Sequence, residues 1–353
     1  MRTVRYVLPM LLVCLAGFGG AALADDECKP LTKPELFSIL PTICPTPDGM
    51  AMDAQGNIIL ACPNFADQTQ PAVLMKIDPQ NRVRLWCVPP AHPDTGVCCP
   101  MGLAFGPDGD LYVCDNQGWV KPNNKGRMLR LTVKNNQVVR TVVVADGMSH
   151  PNGCQVHKGH LYVTESLMVK EGNEPLISGV YRFKLDDQGI KVQNNLQDKN
   201  LLVSFKTLNP DCQYGVDGLV FDSKGNLFVG NFGDATVHKI TFDAQGNVAS
   251  NTIFAKSKCM RSTDGMCVDN DDNIYVADFS NNAICVVSPQ GKVRVLARSP
   301  DTDGADGGLD QPGEPIVRGN DLIISNFDLV TGPDKVNTKH DWPYTLSIIR
   351  LNK

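Results

Sequence analysis

Apolar and polar positions along this chain form one short sequence pattern, called a phrase below, that occurs six times. Each copy holds a short apolar strand, a turn rich in Gly, Asp or Asn, and a second apolar strand that ends near Asp, Asn or Cys; the copies span residues 46–62, 99–115, 150–166, 215–231, 262–278 and 312–326. The residues that begin the first strand of each copy are numbers 48, 101, 152, 217, 264 and 314, which are separated by 53, 51, 65, 47 and 50 residues. A period near 50 residues of strands and tight turns is typical of β-propeller blades. We therefore predict an all-β, six-bladed β-propeller.

The outer strands of the blades and the closure of the ring follow from the same pattern. Alternating runs such as 72–78 with 82–88 predict third and fourth strands. The last copy is followed by only one further strand, 345–351, whereas the segment 35–40 precedes the first copy and has no blade of its own. We expect this N-terminal strand to join the last blade and close the ring, which removes exposed strand edges.

Residues 1–24 have the pattern of a secretory signal peptide. Arg2 and Arg5 precede an apolar run over residues 7–15, and Ala-Leu-Ala at 22–24 offers a cleavage site. The run is short for a membrane span, so we expect cleavage near Ala24, export to the periplasm or the exterior, and no stable membrane insertion. A membrane anchor, or a lipid on Cys14, is the alternative. Residues 25–353 are then one propeller domain.

The net charge limits which partners we expect, and the cysteine content indicates the compartment. Without Arg2 and Arg5, the 33 basic residues become 31 against 38 acidic ones, a net charge of −7. Because no basic block is present, we expect no nucleic-acid partner; we expect a monomer acting on a small molecule. Twelve of the 13 cysteines remain after the leader, and export favours several disulfides whose pairing the spacing leaves open.

The residue that begins each inner strand of a propeller faces the central channel. Around this ring those residues are Asp48, Met101, Asn152, Asp217, Asp264 and Glu314. Five of the six offer an oxygen, and converging carboxylates repel one another and have raised pKa values unless a cation lies among them. Oxygen donors favour Ca²⁺, with Mg²⁺, Mn²⁺ and Zn²⁺ as alternatives. Asp-Gly and Asn-Gly are also common turn pairs, but their recurrence at one blade position favours the metal.

Three of the phrases resemble those of a known family. The strings SHPNGC (149–154), VDGLVFDSKGNLFVGN (216–231) and TDGMCVDNDDNIYVAD (263–278) are similar to the senescence-marker-protein, gluconolactonase and luciferin-regenerating-enzyme family of six-bladed propellers. The hub of that family holds one divalent ion, usually calcium, through a Glu, one or two Asn and an Asp that is also its proposed general base. The resemblance implies an exported, calcium-dependent hydrolase of a lactone or related ester.

The family roles can be placed on this chain in two ways. In the first, SHPNGC makes Asn152 the family's Asn, Asp217 the metal-binding base and Glu314 the Glu, with the blades shifted round the ring. In the second, linear order makes Asp264 the base and puts Asp48 where the Glu is expected, while Asp217 replaces an Asn. We favour the first, with Asp264 as an additional ligand or a substitute base.

Candidates for the substrate pocket lie beside the hub positions. Met101 is apolar, which indicates a substrate less polar than a sugar lactone, and His150 lies next to Asn152 in sequence. Cys98 and Cys99 would form an apolar platform at the channel if they were bridged to each other; separate structural bridges are the alternative. Two other functions remain open: a non-hydrolytic lyase or isomerase on the same hub, and a ligand-binding propeller whose metal is structural.

Overall fold

The protein is described by a computed structural model that covers residues 28–120 and 124–351, so the predicted leader, 1–24, lies outside the described residues. The first half of this part contains β1 (Glu35–Ile39), β2 (Met50–Met52), β3 (Ile58–Cys62), β4 (Val73–Ile77), β5 (Val83–Cys87), β6 (Pro100–Phe105), β7 (Leu111–Asp115), β8 (Gly126–Lys134), β9 (Gln137–Met148), β10 (Pro151–His157), β11 (His160–Val169), β12 (Leu176–Lys184) and β13 (Ile190–Lys191). The second half contains β14 (Leu201–Thr207), β15 (Val216–Phe221), β16 (Leu227–Asn231), β17 (Thr236–Phe242), β18 (Val248–Lys256), β19 (Met266–Val268), β20 (Ile274–Asp278), a 3₁₀ turn (Phe279–Asn281), β21 (Ala283–Val287), β22 (Val293–Arg298), β23 (Pro312–Arg318), β24 (Asp321–Asn326) and β25 (Thr345–Arg350).

These strands form six sheets, one for each sequence phrase, which confirms the predicted six-bladed propeller. From the channel outward, blades 1 to 6 are β2-β3-β4-β5, β6-β7-β8-β9, β10-β11-β12-β14, β15-β16-β17-β18, β19-β20-β21-β22 and β23-β24-β25-β1. The second strands β3, β7, β16 and β20 are buried at every position because they have a strand on each side and a blade on each face. They therefore read as continuous apolar runs, whereas outer strands such as β5 are partly exposed.

The ring closes as the sequence predicts. β1 pairs antiparallel with β25, so that Glu35 lies opposite Ile348 and Ile39 opposite Thr345. A disulfide between Cys28 and Cys259 also ties the segment before β1 to the loop that connects the fourth and fifth blades. The outermost position of the last blade is thus filled by the start of the domain.

One part of the third repeat departs from a regular blade. The 65-residue spacing is taken up by the long hairpin of β11 and β12 and by β13, which pairs parallel with β9 and gives blade 2 a fifth strand. No helix within residues 28–120 and 124–351 is long and apolar enough to cross a membrane.

The expectation of several disulfides is wrong for the described residues, where Cys28–Cys259 is the one bridge. Cys98 and Cys99 are both buried free thiols, so neither the vicinal bridge nor two separate bridges forms there. The free cysteines are Cys44, Cys62, Cys87, Cys98, Cys99, Cys114, Cys154, Cys212, Cys267 and Cys285. Most of them are buried in or between blades, where a thiol packs as a small apolar group.

Candidate functional site

Each inner strand carries a β-bulge at the same end of the channel. In blade 2 the pairing register shifts between Pro100 and Leu103. Met101 and Gly102 therefore share one partner position on the second strand. Blades 3, 4 and 6 show the same shift, and main-chain hydrogen bonds produce it in blades 1 and 5. Because a bulge re-aims a side chain, the repeated bulge turns one residue of each blade toward the axis.

The glycines of the Asp-Gly and Asn-Gly pairs serve close packing between blades. A Cβ atom on Gly153 would lie 2.7 Å from the carbonyl oxygen of Asp217, and one on Gly218 would lie 2.5 Å from that of Asp264. Neither glycine has a left-handed φ, and both lie within strands. The alternative that these pairs are turn residues is therefore wrong, because glycine is needed here to let adjacent inner strands approach.

Glu314 departs from the position that the repeat assigned to it. In blade 6 the register shifts between Pro312 and Pro315, so Gly313 occupies the position of the other hub residues and Glu314 follows it. A Cβ atom on Gly265 would lie 2.6 Å from Glu314 Oε2, which places this carboxylate against the fifth blade. The presumed equivalence of residue 314 with the other five positions is thus wrong by one residue.

A cavity of about 160 Å³ opens at the end of the channel where the bulges lie. Five of the predicted hub residues line it together: Asp48, Met101, Asn152, Asp217 and Asp264. Glu314 instead lines a separate cavity of about 230 Å³, which is formed by residues further along the same inner strands. The structure therefore brings together four of the five predicted oxygen donors in one cavity, whereas the fifth lines the other cavity. The Glu314 carboxylate still lies close enough for its charge to raise the pKa of Asp264.

The acids of the hub are coupled to one another and to Asn152. The Asn152 Nδ2 group donates to Asp217 Oδ2 at 2.7 Å and to the hydroxyl oxygen of Tyr214 at 3.2 Å. The carboxyl groups of Asp217 and Asp264 share a hydrogen bond. One of these two carboxyls therefore carries a proton whenever that hydrogen bond is present without a cation.

Burial raises the pKa of every acid in this cavity. Desolvation raises the pKa of Asp48 to about 7, against the opposing hydrogen bond from the Gly49 N–H. The pKa values of Asp217 and Asp264 are raised well above the ordinary value, first by burial and then by neighbouring carboxylates. None of the three forms an ion pair with a basic side chain of the described chain. Their negative charge is therefore uncompensated within the hub.

Six aromatic side chains surround the mouth of this cavity. In order round the ring they are Phe65, Trp119, Tyr214, Phe232, Phe279 and Phe327. The ring centroids of successive members, starting from the Phe65–Trp119 pair and ending with Phe327–Phe65, are 5.6, 6.4, 5.4, 5.7, 5.8 and 6.2 Å apart. We call this set the aromatic collar. All but Phe65 line the cavity. The acids thus lie at the base of a pocket whose walls are aromatic.

The collar is positioned by the residues that end the second strands. Asp278 accepts hydrogen bonds from the Arg261 and Ser262 N–H groups, which fixes the loop before the inner strand and leaves Phe279 as the next residue. Asn326 holds the corresponding loop of blade 6 through the N–H of Asp310. The Asp and Asn residues at the strand ends are therefore structural in these two blades.

The collar was not predicted from the sequence. A signal was present, because Phe232, Phe279 and Phe327 each directly follow the Asn or Asp that ends a second strand. Phe65 and Trp119 follow at longer and unequal distances. Tyr214 comes from the segment before β15, so no common spacing connects all six.

The other predicted pocket residues lie outside this cavity, except for Met101. His150 packs behind the collar, with ring centroids 6.2 Å from Trp119 and 6.1 Å from Tyr214, and burial lowers its pKa to about 4. Cys98 borders a surface cleft, and the Cys99 N–H donates to Asp115 Oδ1 at 2.7 Å.

The donor chemistry of the hub fits a hard cation. Asp48, Asp217 and Asp264 with the side-chain oxygen of Asn152 would hold such an ion, because they are oxygen donors with uncompensated charge in one cavity. In the described ranges, no three or more His, Cys, Asp or Glu side chains are drawn together as a finished ligand set. The amide of Asn152 and the two hydrogen-bonded carboxyls would have to exchange their mutual contacts for contacts with the ion.

Comparisons with known proteins agree with this architecture. In a search of the solved structures, a putative gluconolactonase matches with a TM-score of 0.57 and 15% identity over 94% of this chain and 96% of its own. Regucalcin from Agrobacterium tumefaciens, described as a calcium-binding protein, matches with a TM-score of 0.57 and 12% identity, covering 91% and 94%. A gluconolactonase from Xanthomonas campestris gives 0.55 and 14%, covering 91% and 95%.

At these identities the solved structures show the shared fold alone, and a search of the curated proteins found no match. The sequence itself carries the family assignment. The model of the SMP-30/gluconolactonase/LRE-like region matches residues 102–251 and 234–303, which together make up more than half of the chain. The chain belongs to the SMP-30/gluconolactonase/LRE-like family.

Proposed function

We propose that this protein hydrolyses a lactone or related ester in the hub cavity, with calcium as the first choice among hard divalent cations. The observation that supports this most directly is the group of three uncompensated buried carboxyls with Asn152 at the base of one pocket. Membership of a family that includes gluconolactonases supports the reaction class. When bound, a divalent cation polarises the carbonyl oxygen of the substrate.

Asp217 is the general base in this proposal. Its Oδ2 atom is held by the Asn152 amide, so the orientation of the carboxylate is fixed before substrate enters. It takes a proton from a water molecule as that water attacks the carbonyl carbon, and returns the proton to the alkoxide released when the ester C–O bond breaks. Asp264, which shares a hydrogen bond with Asp217, holds a proton or a ligand position and is the substitute base.

The coupling of the two acids determines when the base is available. Because they titrate as a pair, the first proton lost from the pair leaves a charge shared between Asp217 and Asp264. A cation in the cavity lowers both pKa values, since it favours their ionised forms. We therefore expect activity to rise with pH as this pair ionises, and the rise to shift to lower pH as the calcium concentration is increased toward saturation.

Export, a monomeric state and a small-molecule substrate remain part of the proposal. The Cys28–Cys259 disulfide supports an oxidising compartment, since such bonds are rare in reducing ones. The concave cavity with its aromatic walls supports a small-molecule ligand. A lyase or isomerase on the same hub, or a binding propeller with a structural metal, would use the same donors without releasing an acid from a lactone.

The decisive experiment combines elemental analysis with a lactone panel. Purified protein is analysed for bound calcium, magnesium, manganese and zinc, and acid release from a panel of lactones and aryl esters is followed with and without chelator. We expect about one divalent ion per chain and turnover that chelator abolishes and calcium restores. Full turnover by metal-free protein would contradict the proposed metal requirement. Tight metal binding without hydrolysis of any lactone or ester would contradict the proposed hydrolase activity.

A further inference from the structure

The collar is apolar at the depth where a substrate must pass. Phe232, Phe279 and Phe327 supply half of it without any polar atom, and the Tyr214 hydroxyl already accepts a hydrogen bond from Asn152. Successive ring planes are turned by 33–72°, so the rings stand round the opening rather than stacking on one another. Aromatic side chains in such arrangements offer a large contact area to a flat apolar group.

Polar groups at the mouth are few and largely engaged. Thr331 and Lys335 line the cavity beside the collar, and the ammonium group of Lys335 is paired with Asp334. A ligand covered with hydroxyl groups would therefore leave several of them without partners when it is surrounded by the collar. Burying a hydroxyl group without a hydrogen bond is costly. The collar thus disfavours polyhydroxylated ligands at the level where it surrounds them.

We propose that the collar selects substrates that carry an aromatic ring or a similarly flat apolar group next to the carbonyl. This inference rests on the proposed esterase or lactonase function, and it names the substrate class as aryl-substituted or aryl-fused lactones and esters. The carbonyl lies toward Asp217 at the base of the cavity, and the ring lies among Phe232, Phe279 and Phe327. Met101, the apolar residue of the hub, lies on the same path.

Binding and turnover can be tested separately with lactams, in which an amide replaces the hydrolysable ester. The probe is an aryl-fused six-membered lactam, and its matched control is a polyhydroxylated six-membered lactam. Calorimetry measures both dissociation constants for the calcium-loaded protein. Because one favourable ring contact changes affinity by a factor of about 2–10, we expect the aryl lactam to bind at least about 10-fold more tightly.

Collar variants locate the contact. Phe279→Leu combined with Phe327→Leu removes two neighbouring rings, and we expect it to weaken the aryl lactam by about 10-fold while leaving the hydroxylated lactam nearly unchanged. Phe254→Leu is the matched control, because Phe254 packs against Phe228 at 4.9 Å in blade 4, away from the cavity. Circular dichroism and the bound calcium content of each variant show that the fold and the hub are intact.

The outcomes distinguish this inference from the function on which it rests. Equal affinity for the two lactams, or equal losses in the collar and control variants, would overturn the aromatic selection even if lactones are hydrolysed. If the aryl lactam binds as expected but no lactone or ester is turned over, the hydrolase is wrong and the collar remains a binding site for aryl groups. Should the double variant unfold, Phe232→Leu alone, against Phe254→Leu, gives the same comparison.

Discussion

The two ends of the central channel are lined largely by the same inner strands, yet their chemistry differs. At one end the cavity holds Asp48, Asn152, Asp217 and Asp264 below the aromatic collar. At the other end, residues only a few positions further along the strands line a cavity whose side chains are mostly apolar, with Met50, Met52, Leu103 and Ile316 among them. Glu314 and Gln155 are the polar side chains there.

The difference arises where loops, rather than strands, supply the walls. The collar residues lie in the loops after second strands or before inner strands, so substitutions there do not interrupt the hydrogen-bonded ladders. The opposite cavity is lined by strand residues, which must also pack between blades. We infer that the first end carries the function, since loop positions on a rigid scaffold are where binding residues concentrate.

The largest effect should come from the central acid of the first end. Asp217→Asn keeps the shape and one oxygen but loses basicity, so we expect hydrolysis to slow by about 10²–10⁴-fold while metal still binds. Steady-state rates on the best lactone of the panel give the measurement. Asp264→Asn should slow hydrolysis less than Asp217→Asn does. Gln155→Leu, at the opposite end of the channel, is the control and should leave the rate unchanged. If Asp264→Asn abolishes turnover and Asp217→Asn does not, the linear assignment of the family roles is right.

A second effect concerns the glycines that let the blades approach at the hub. Gly218→Ala would place a Cβ atom 2.5 Å from the carbonyl oxygen of Asp264 and should destabilise the fold by about 3 kcal/mol, because a backbone atom cannot move aside cheaply. Gly319→Ala, at a left-handed turn with open space, should cost only about 1–2 kcal/mol. Urea unfolding monitored by circular dichroism compares them. Equal costs would show that the hub tolerates a wider ring.

The third effect is on stability as a function of pH. Native pKa values raised above the unfolded ones mean that the folded protein binds more protons, so these acids make stability fall as pH rises from about 4 toward the native pKa, about 7 for Asp48. For metal-free protein we expect Tm to drop between pH 5 and pH 8, and calcium to restore most of the loss at pH 8. Asp48→Asn should flatten the profile. A metal-free Tm that rises across this interval would contradict the raised pKa values.

The smallest effect concerns Glu314 and tests whether the calcium site is confined to the first end of the channel. Glu314→Ala should lower calcium affinity less than Asp217→Ala does, because the Glu314 carboxylate lies one residue further along the channel and against Gly265. Isothermal titration with calcium gives both affinities. Equal losses would place Glu314 among the ligands and extend the site through the middle of the channel.

The repeat made the fold predictable, and the details of register limited the prediction of the site. The six phrases were enough to predict the blades, because strand pairing within a blade is local. The long-range closure was predictable because segment 35–40 had no blade of its own and the last blade lacked one strand. The same phrases gave the hub positions correctly in five blades. In blade 6, Glu314 was aligned with the acids of the other blades. The strand pairing instead aligns Pro312 with the residue before each hub position, which puts Gly313 at the hub.

Contacts between distant loops were beyond the sequence. The collar joins residues from Phe65 to Phe327, and Tyr214 enters it from a different type of loop than the others. The prediction from the cysteines failed for a related reason. An even number of cysteines after an export signal favours disulfides, but ten of these thiols are free among the described residues. Neither pattern can be read without knowing which side chains face each other.

The pairing of β1 with β25 also governs the order in which this molecule can be completed. During synthesis, Glu35 emerges long before Ile348, its partner across the last sheet. β1 must therefore wait, unpaired, until β25 has been made, and the ring can be closed only as a late event. Since joining such distant segments is slow, we infer that folding of the propeller ends with the pairing of β1 and β25.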